Sequence, residues 1–287
     1  MTELAAAPTS RRRRRSPGQS LPLLIVAGAA VLTIVPLAWM IVIAFQQPRA
    51  IIAPGWRFEF SLQNFVDVFN PRSVFAVQVL NSVVIVLAAT ALTLVIATLA
   101  AYSLSQLGWS PRTVLIVLGG AALLQVIPPM ALVPGLYATL SGAGLVNSLG
   151  GLILLNAVFN LPFAVIMTKF SFDALPAELR ESAAVDGASE FRIFRSIMVP
   201  LAVPGIAAVG IFTAIQVWNE FLFGLVFTSG GATAPITVGI AALIQPQEIK
   251  FGAMAAVGTV TAVPIILLAV AANRQIVSGL TGGAVKG

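Results

Sequence analysis

Six apolar runs dominate this sequence, and each is about as long as a helix that crosses a membrane. A spanning helix needs roughly 20 predominantly apolar residues. The runs are too long for barrel strands, and they lack the period-2 alternation that such strands show. The pattern therefore predicts an all-α integral membrane protein with six transmembrane helices, at residues 21–45, 77–101, 113–136, 148–168, 201–226 and 252–272.

The low content of charged and reactive side chains restricts the functions that this chain can have. Only 9% of the residues are charged, whereas about 25% is usual in soluble domains. The chain has no His and no Cys, so it lacks the commonest general base and metal ligand and the usual Ser–His or Cys–His nucleophile pairs. No G-x-x-x-x-G-K-[ST] pattern occurs either. We therefore expect a non-catalytic membrane subunit without a cofactor or metal of its own.

The distribution of Lys and Arg predicts the orientation. With the N-terminus inside, the inner segments hold twelve of the sixteen basic residues, and the outer segments hold Arg49, Arg57, Arg72 and Lys250. The positive-inside rule then places both termini in the cytoplasm. We interpret Arg11–Arg15 as a topogenic anchor in a disordered basic tail over 1–20, and we expect no nucleic-acid partner. The first run is longer than the apolar region of a signal peptide, which favours a retained helix.

The longest outer connection, residues 46–76, is rich in aromatic side chains. This content indicates a packed cap or an interfacial segment instead of a free linker. The aromatic residues are Trp56, Phe58, Phe60, Phe65 and Phe69.

Charged residues are concentrated between the fourth and fifth apolar runs. The pattern of this segment predicts a short helix, a break and a second helix. Pro176 suits a first helical position, Gly187 can take the left-handed conformation that ends a helix, and Ser189 can cap a second helix. The second helix would carry an apolar stripe of Phe191, Phe194 and Met198. Pro200 would close the segment. From the residues alone, this elbow could lie on lipid headgroups or dock a protein.

The elbow resembles a loop motif of the membrane subunits of binding-protein-dependent ABC importers, E-A-A-x-x-x-G-x(9)-I-x-L-P. Ser182 and Val199 depart from it by small changes, with the spacing kept. The matching positions are Glu181, Ser182, Ala183, Gly187, Ile197, Val199 and Pro200. The stretches "VWNEFLFGLVF" and "QIVSGLTGGAVKG" are similar to the carbohydrate-uptake branch, in particular to the smaller permeases of maltose-type importers. The similarity extends from about residue 20 to residue 287.

The resemblance implies a type I ABC importer transmembrane domain over residues 21–287, in a prokaryotic plasma membrane. The elbow, residues 176–198, would be the coupling helix that sits in a cleft of an ATPase. The implied partners are a second, different permease, two ATP-binding subunits or domains that use ATP and Mg²⁺, and an external solute-binding protein. The larger permease would hold most sugar contacts. The implied coupling residues are Glu181, Ser182, Ala183, Asp186, Gly187, Ile197 and Pro200.

Several polar residues lie inside the apolar runs, where they are costly and usually face protein or water. They can line a pathway or an interface, or they can join neighbouring helices. The polar set is Asn81, Gln125, Asn156, Asn160, Gln216, Asn219 and Glu220; of these, Asn160, Gln216, Asn219 and Glu220 are the pathway or interface candidates. Pro128, Pro129 and Pro134 interrupt the third run, which indicates either a cavity wall or a plain kink.

The function predicted is a permease subunit of an ATP-driven importer of a sugar or sugar-like solute. The alternative is a secondary transporter or channel, although such proteins usually carry more intramembrane charge or inverted repeats. A membrane enzyme is the weakest alternative, because no paired acids are available. Di- and oligosaccharides and glycerol phosphate derivatives all remain open as solutes. The ion-pair partner of Glu181 could be Arg192, Arg195 or a basic group on the ATPase.

Overall fold

The fold is a bundle of helices, as a computed structural model describes it for residues 20–53, 55, 57–245 and 249–283, with side chains between Pro22 and Val270. Within these ranges the chain has no strand, only two isolated β-bridges, and the predicted all-α membrane fold is confirmed. This description does not cover the N-terminal tail with Arg11–Arg15. It also does not cover Trp56, the Arg274 side chain or Lys286. The helices are α1 Ser20–Ala44, α2 Pro48–Ile52, α3 Gln63–Val68, α4 Phe75–Gln106, α5 Pro111–Val126, α6 Pro129–Gly142, α7 Leu149–Asp173, α8 Ala177–Val185, α9 Glu190–Ile193, α10 Val199–Trp218, α11 Leu222–Phe227, α12 Ile236–Ala241 and α13 Phe251–Gly283.

Five helical segments are long and apolar enough to cross a membrane: α1, α4, α7, the continuous stretch Glu190–Trp218 and α13. The pair α5 and α6 makes a sixth, but it bends by 98°. The span predicted over 113–136 is therefore broken at Pro128 and Pro129, two of the prolines expected to interrupt it, and its second half continues to Gly142. The cause is local, since Ile127 and Pro128 both adopt extended backbone before a proline. Pro129 then opens α6, where its missing N–H costs nothing.

The core forms where α4, α7 and α10 pack together. Small residues allow the close approach that membrane helices use, because Ala97 of α4 and Ala164 of α7 are fully buried. Gly210 of α10 sits so close to Leu94 that an added Cβ would lie 2.8 Å from the leucine Cδ1. These contacts hold the three helices as one unit and leave α5, α6 and α1 at the outside.

Among the side chains between Pro22 and Val270, helix α1 packs against the rest of the chain near its end. Ala44 packs with Ala255 and Ala256 of α13, whereas Leu32 is 78% exposed. Most of the apolar surface of α1 is therefore open to lipid or to another subunit.

We call the end of the bundle where α7 ends and α9 begins the elbow end. At the opposite end, the segment after α1 is held by buried amides. Asn64 donates to the carbonyls of Ala44 and Gln46 over 3.1 and 2.7 Å. The rings of Phe45 and Phe65 lie 4.8 Å apart, while Phe58 and Phe60 are 49% and 69% exposed. The expected aromatic cap is thus only partly packed.

A second connection at the opposite end runs between α10 and α12. Asn81 of α4 donates to the carbonyls of Ala232 and Ala234 over 2.8 and 3.0 Å. The Ser82 hydroxyl accepts from the Ile236 N–H over 2.9 Å. Asn81 is therefore a structural anchor for this loop. The helix predicted over 201–226 ends at Trp218 and resumes at Leu222, so it is interrupted.

Candidate functional site

The first helix of the elbow, α8, ends in a Schellman motif. Gly187 has a φ of 80°, which confirms the left-handed conformation predicted for it. The Ala188 N–H donates to the Ala183 carbonyl over 3.0 Å, and the Gly187 N–H donates to the Ala184 carbonyl over 3.1 Å. Pro176 is the N-cap residue instead of the first helical residue. The turn at Gly187 fixes the angle between α8 and α9.

The second helix of the elbow does not stop at Pro200. Helix α9 passes through a π-helical segment, Phe194–Met198, into α10. The Val199 N–H donates to the Phe194 carbonyl, five residues back, and this wider turn precedes the proline, which has no N–H of its own. The expectation that Pro200 separates elbow and span is wrong. The elbow is continuous with the membrane helix.

The π-helical segment also changes the buried face. Ile193 and Met198, five residues apart, are fully buried, whereas Phe191 is 67% exposed. The apolar stripe predicted from α-helical spacing therefore loses Phe191 and gains Ile193. Ser189 occupies the N-cap position of α9 without a side-chain capping bond.

Three polar residues from three helices meet at the elbow, and we call them the elbow triad: Tyr102 of α4, Arg180 of α8 and Glu190 of α9. Arg180 donates through Nε and Nη2 to the two Glu190 oxygens over 3.1 and 2.9 Å. The Tyr102 hydroxyl donates to Glu190 Oε1. Hydrogen bonding to Glu190 raises the pKa of Arg180 above its ordinary value. The triad thus ties the elbow to α4.

Sequence reasoning missed the triad because its members are far apart along the chain. Tyr102 lies 88 residues before Glu190, and no local pattern joins them. An acid at the start of a helix is already explained by the helix dipole.

The exposed face of α8 carries much of the predicted coupling set. Glu181, Ser182 and Asp186 are exposed, while Ala183 is buried against the core of the elbow. Neither of the two ion pairs found in the described residues involves Glu181; they are Lys169–Asp173 and Arg180–Glu190. Within the described chain, Arg192 and Arg195 are therefore not its partners.

A cavity of about 500 Å³ lies beside the bend between α5 and α6, against α7 and the α10–α11 junction. It brings together five of the polar residues singled out from the sequence: Gln125, Asn156, Asn160, Gln216 and Glu220. It does not include Asn81 or Asn219. Asn219 is exposed, and its amide donates to the Ile215 carbonyl of its own helix over 2.8 Å.

Two asparagines one helical turn apart face the cavity from α7. Asn156 is 3% exposed and donates through Nδ2 to the Leu152 carbonyl over 2.9 Å. Its Oδ1 is buried without a hydrogen-bond partner. Asn160 donates through Nδ2 to the Asn156 carbonyl over 2.9 Å. Both amide nitrogens thus donate to backbone carbonyls of α7, and the buried Asn156 Oδ1 accepts no hydrogen bond.

Glu220 has a structural task as well as a place in the cavity wall. Its carboxylate accepts from the N–H groups of Phe223 and Gly224 over 2.6 and 3.2 Å. It therefore caps the start of α11, where the helix dipole favours a negative charge.

The bend also leaves backbone polar groups at the cavity. The carbonyls of Leu124 and Gln125 would bond to residues 128 and 129 in a continuing helix, but both of those are prolines without an N–H. Inside a membrane such broken helices are tolerated where they line a cavity or are buried in protein. Among the described residues there is no cluster of three acids that could hold a metal ion.

Known proteins resemble this chain over most of its length. Residues 93–281 match the family described as binding-protein-dependent transport system inner membrane component. The chain is 32% identical to the trehalose/maltose transport system permease protein MalG of Thermococcus litoralis, covering 92% of this chain and 97% of the relative. It is also 32% identical to the trehalose transport system permease protein SugB of Mycobacterium tuberculosis, with 92% and 95% covered.

The fold is also found in a solved structure. A chain of a bacterial ABC transporter involved in the import of the acidic polysaccharide alginate superposes with a TM-score of 0.77, at 16% identity, over 91% of this chain and 98% of that one. At this identity the likeness concerns the fold alone.

Proposed function

This chain belongs to the family of binding-protein-dependent transport system inner membrane components, and on that premise we propose that it forms half of the pathway of an ATP-driven saccharide importer. As a permease subunit of a multi-pass plasma-membrane system it is not catalytic. The hydrolysis of ATP with Mg²⁺ belongs to a partner subunit. The names of its relatives, which transport trehalose and maltose, support a saccharide as the solute.

The observation that carries the coupling role is the continuity of the elbow with α10. A continuous helix from Glu190 to Trp218 connects the elbow to the wall of the cavity. A subunit that moves the elbow can therefore move the wall through this helix. The exposed face of α8, with Glu181, Ser182 and Asp186, is the surface that we assign to the ATPase.

The elbow end faces the cytoplasm in this proposal, because Arg112, Lys169, Arg180, Arg192 and Arg195 are concentrated there. The ATPases then bind from the inside. The solute-binding protein docks at the opposite end. A second, different permease covers part of the exposed apolar surface of α1 and α5.

Reconstitution tests the proposal. We expect proteoliposomes that hold this chain, its partner permease, the ATPase and the binding protein to take up trehalose or maltose only with ATP inside. An ATPase variant that cannot hydrolyse ATP is the control. Uptake that persists with the inactive ATPase would assign the chain to secondary transport or to a channel.

The elbow triad gives a separate prediction. We expect Glu190→Ala to lower the uptake per ATP hydrolysed several-fold, because α8 is no longer tied to α4. The thermal unfolding temperature should change little, since a partly exposed ion pair stabilises by only about 0–1 kcal/mol. The pair is partly exposed, with 28% and 42% of the two side chains accessible. Uptake and ATPase rates are measured on the same vesicles.

Two matched variants control this experiment. Lys169→Met breaks an equally close ion pair that stays within α7, so coupling should be kept. Glu190→Gln keeps an acceptor for Tyr102 and should fall between the wild type and Glu190→Ala. Normal coupling in Glu190→Ala would show that the elbow triad has no part in transmission.

A further inference from the structure

A groove of about 300 Å³ lies between α4 and the junction of α9 with α10. It shares no lining residue with the cavity beside the α5–α6 bend. One face of α4 forms its first wall, and two residues of this wall, Val95 and Leu99, are 60% and 52% exposed. Because α4 is a membrane-crossing helix, this apolar wall is open to the bilayer. The α4 residues of the wall, spaced along one helix face, are Leu94, Val95, Thr98 and Leu99.

The π-helical segment forms the second wall of the groove. Phe194 and Val199 both line it, and the Val199 N–H donates to the Phe194 carbonyl, five residues back. Residues five apart in a regular α-helix point about 140° away from each other. The wider turn brings these two onto one face instead, so the groove exists because the helix is π-helical here. Such π turns occur frequently at functional sites.

Arg195 is the one charged residue of the groove wall. It is exposed and belongs to neither of the two ion pairs found in the described part of the chain. The span predicted over 201–226 begins six residues after Arg195, and Leu99 lies two residues before the end of the span predicted over 77–101. Arg195 is therefore placed near the boundary between the hydrocarbon layer and the headgroups.

We propose that this groove binds one anionic phospholipid from the leaflet at the elbow end, with an acyl chain along α4 and the phosphate on Arg195. A guanidinium binds phosphate oxygens through two parallel N–H donors, and basic pockets between membrane helices recognise anionic headgroups. Among the described residues, no carboxylate lines the groove. The ammonium of a zwitterionic lipid would therefore find no partner there, which favours a lipid with net negative charge.

Photolabelling tests the proposal. The whole transporter, with its partner permease and ATPase, is placed in phosphatidylcholine nanodiscs. These contain a small fraction of phosphatidylglycerol or of phosphatidylcholine that carries the same diazirine on an acyl chain. Labelled residues are mapped by mass spectrometry. We expect phosphatidylglycerol to label the groove about fivefold more than phosphatidylcholine does, the effect of one basic residue on an anionic lipid.

Four variants assign the effect to the groove. Arg195→Gln should lower labelling by phosphatidylglycerol to the level of phosphatidylcholine, whereas Arg195→Lys should keep most of the preference. Arg192→Gln is the matched control, because it removes an exposed cation one turn earlier that does not line the groove. Leu99→Trp fills the groove with Arg195 in place and should reduce labelling by both lipids. The unfolding temperature should change little in each variant, since the substituted side chains are exposed.

Each contrary outcome has a distinct meaning. Equal labelling by the two lipids, or a preference that survives Arg195→Gln, overturns the proposal. The absence of labelling by either lipid would show that another subunit covers the groove, which overturns it as well. Loss of labelling in excess soluble glycerol phosphate would assign Arg195 to a free anion instead of a lipid. None of these results depends on the solute, so they are independent of the outcome of the uptake experiment.

Discussion

Glu181→Ala is expected to release the ATPase from the purified transporter while the pair of permeases remains intact. Glu181 is exposed on α8 and belongs to neither of the ion pairs found in the described part of the chain. Its carboxylate is therefore available to a basic group on another subunit. Breaking an ion pair that is buried in a cleft between subunits, by removing one partner, costs about 3–5 kcal/mol, whereas an exposed pair is worth about 0–1 kcal/mol.

Co-purification of the ATPase with the variant permease is the measurement, with the thermal stability of the permease pair recorded alongside. Glu178→Ala is the matched control, because it removes an exposed carboxylate one turn earlier on the same helix and should cost at most the dipole contribution of about 0.3–1 kcal/mol. An ATPase that stays attached while the permease pair loses stability would make Glu181 a structural residue.

Gly187→Val should abolish coupled uptake without preventing membrane insertion. The glycine has a φ of 80°, and a β-branched residue there is strained by roughly 1–2 kcal/mol. Since an added Cβ would meet no atom within 4 Å, the cost lies in the backbone alone. The backbone can relieve it by giving up the two bonds of the Schellman motif, which changes the angle of α8.

Gly144→Val controls for backbone strain as such. Gly144 has a φ of 68° and nothing within 4 Å of an added Cβ. It ends α6 with the same pair of bonds, from the Leu145 N–H to the Leu140 carbonyl and from the Gly144 N–H to the Ser141 carbonyl. We expect this variant to retain coupling. Equal loss of uptake in both variants at equal membrane levels would mean that strain, and not the elbow, is responsible.

The sequence predicts the long helices well because their signal is local. A run of about 20 apolar residues has few other structures available in a bilayer. The left-handed Gly187 was also predictable, since glycine is the usual residue at that position of a helix end. Pro128 and Pro129 marked the place of the bend, but its 98° angle did not follow from them, because prolines are also tolerated inside membrane helices, as Pro134 is in α6.

Long-range contacts account for what the sequence did not reveal. Asn81 and Asn156 are both amides in apolar helices, yet Asn81 anchors a loop about 150 residues away, whereas Asn156 donates to a carbonyl of its own helix and has a buried oxygen without a partner. Only the neighbouring helices distinguish the two tasks. Glu220 illustrates a third case, because its hydrogen bonds are to residues just after it but require the helix to stop at Trp218.

The π-helical segment Phe194–Met198 lies between the elbow and the membrane helix, so it affects how the elbow is oriented around the axis of α10. A π turn holds one more residue than an α turn, so deleting one residue from this segment would restore the regular spacing. Each residue of an α-helix turns the chain by about 100°. Because the wider turn takes up its extra residue locally, that deletion would leave α8 close to its present orientation, whereas deleting a residue from the regular part of α10 would turn α8 by about 100° around the helix axis. The π-helical segment can therefore take up a change of one residue between the elbow and the span, whereas the face of α8 that we assign to the ATPase depends on particular side chains such as Glu181.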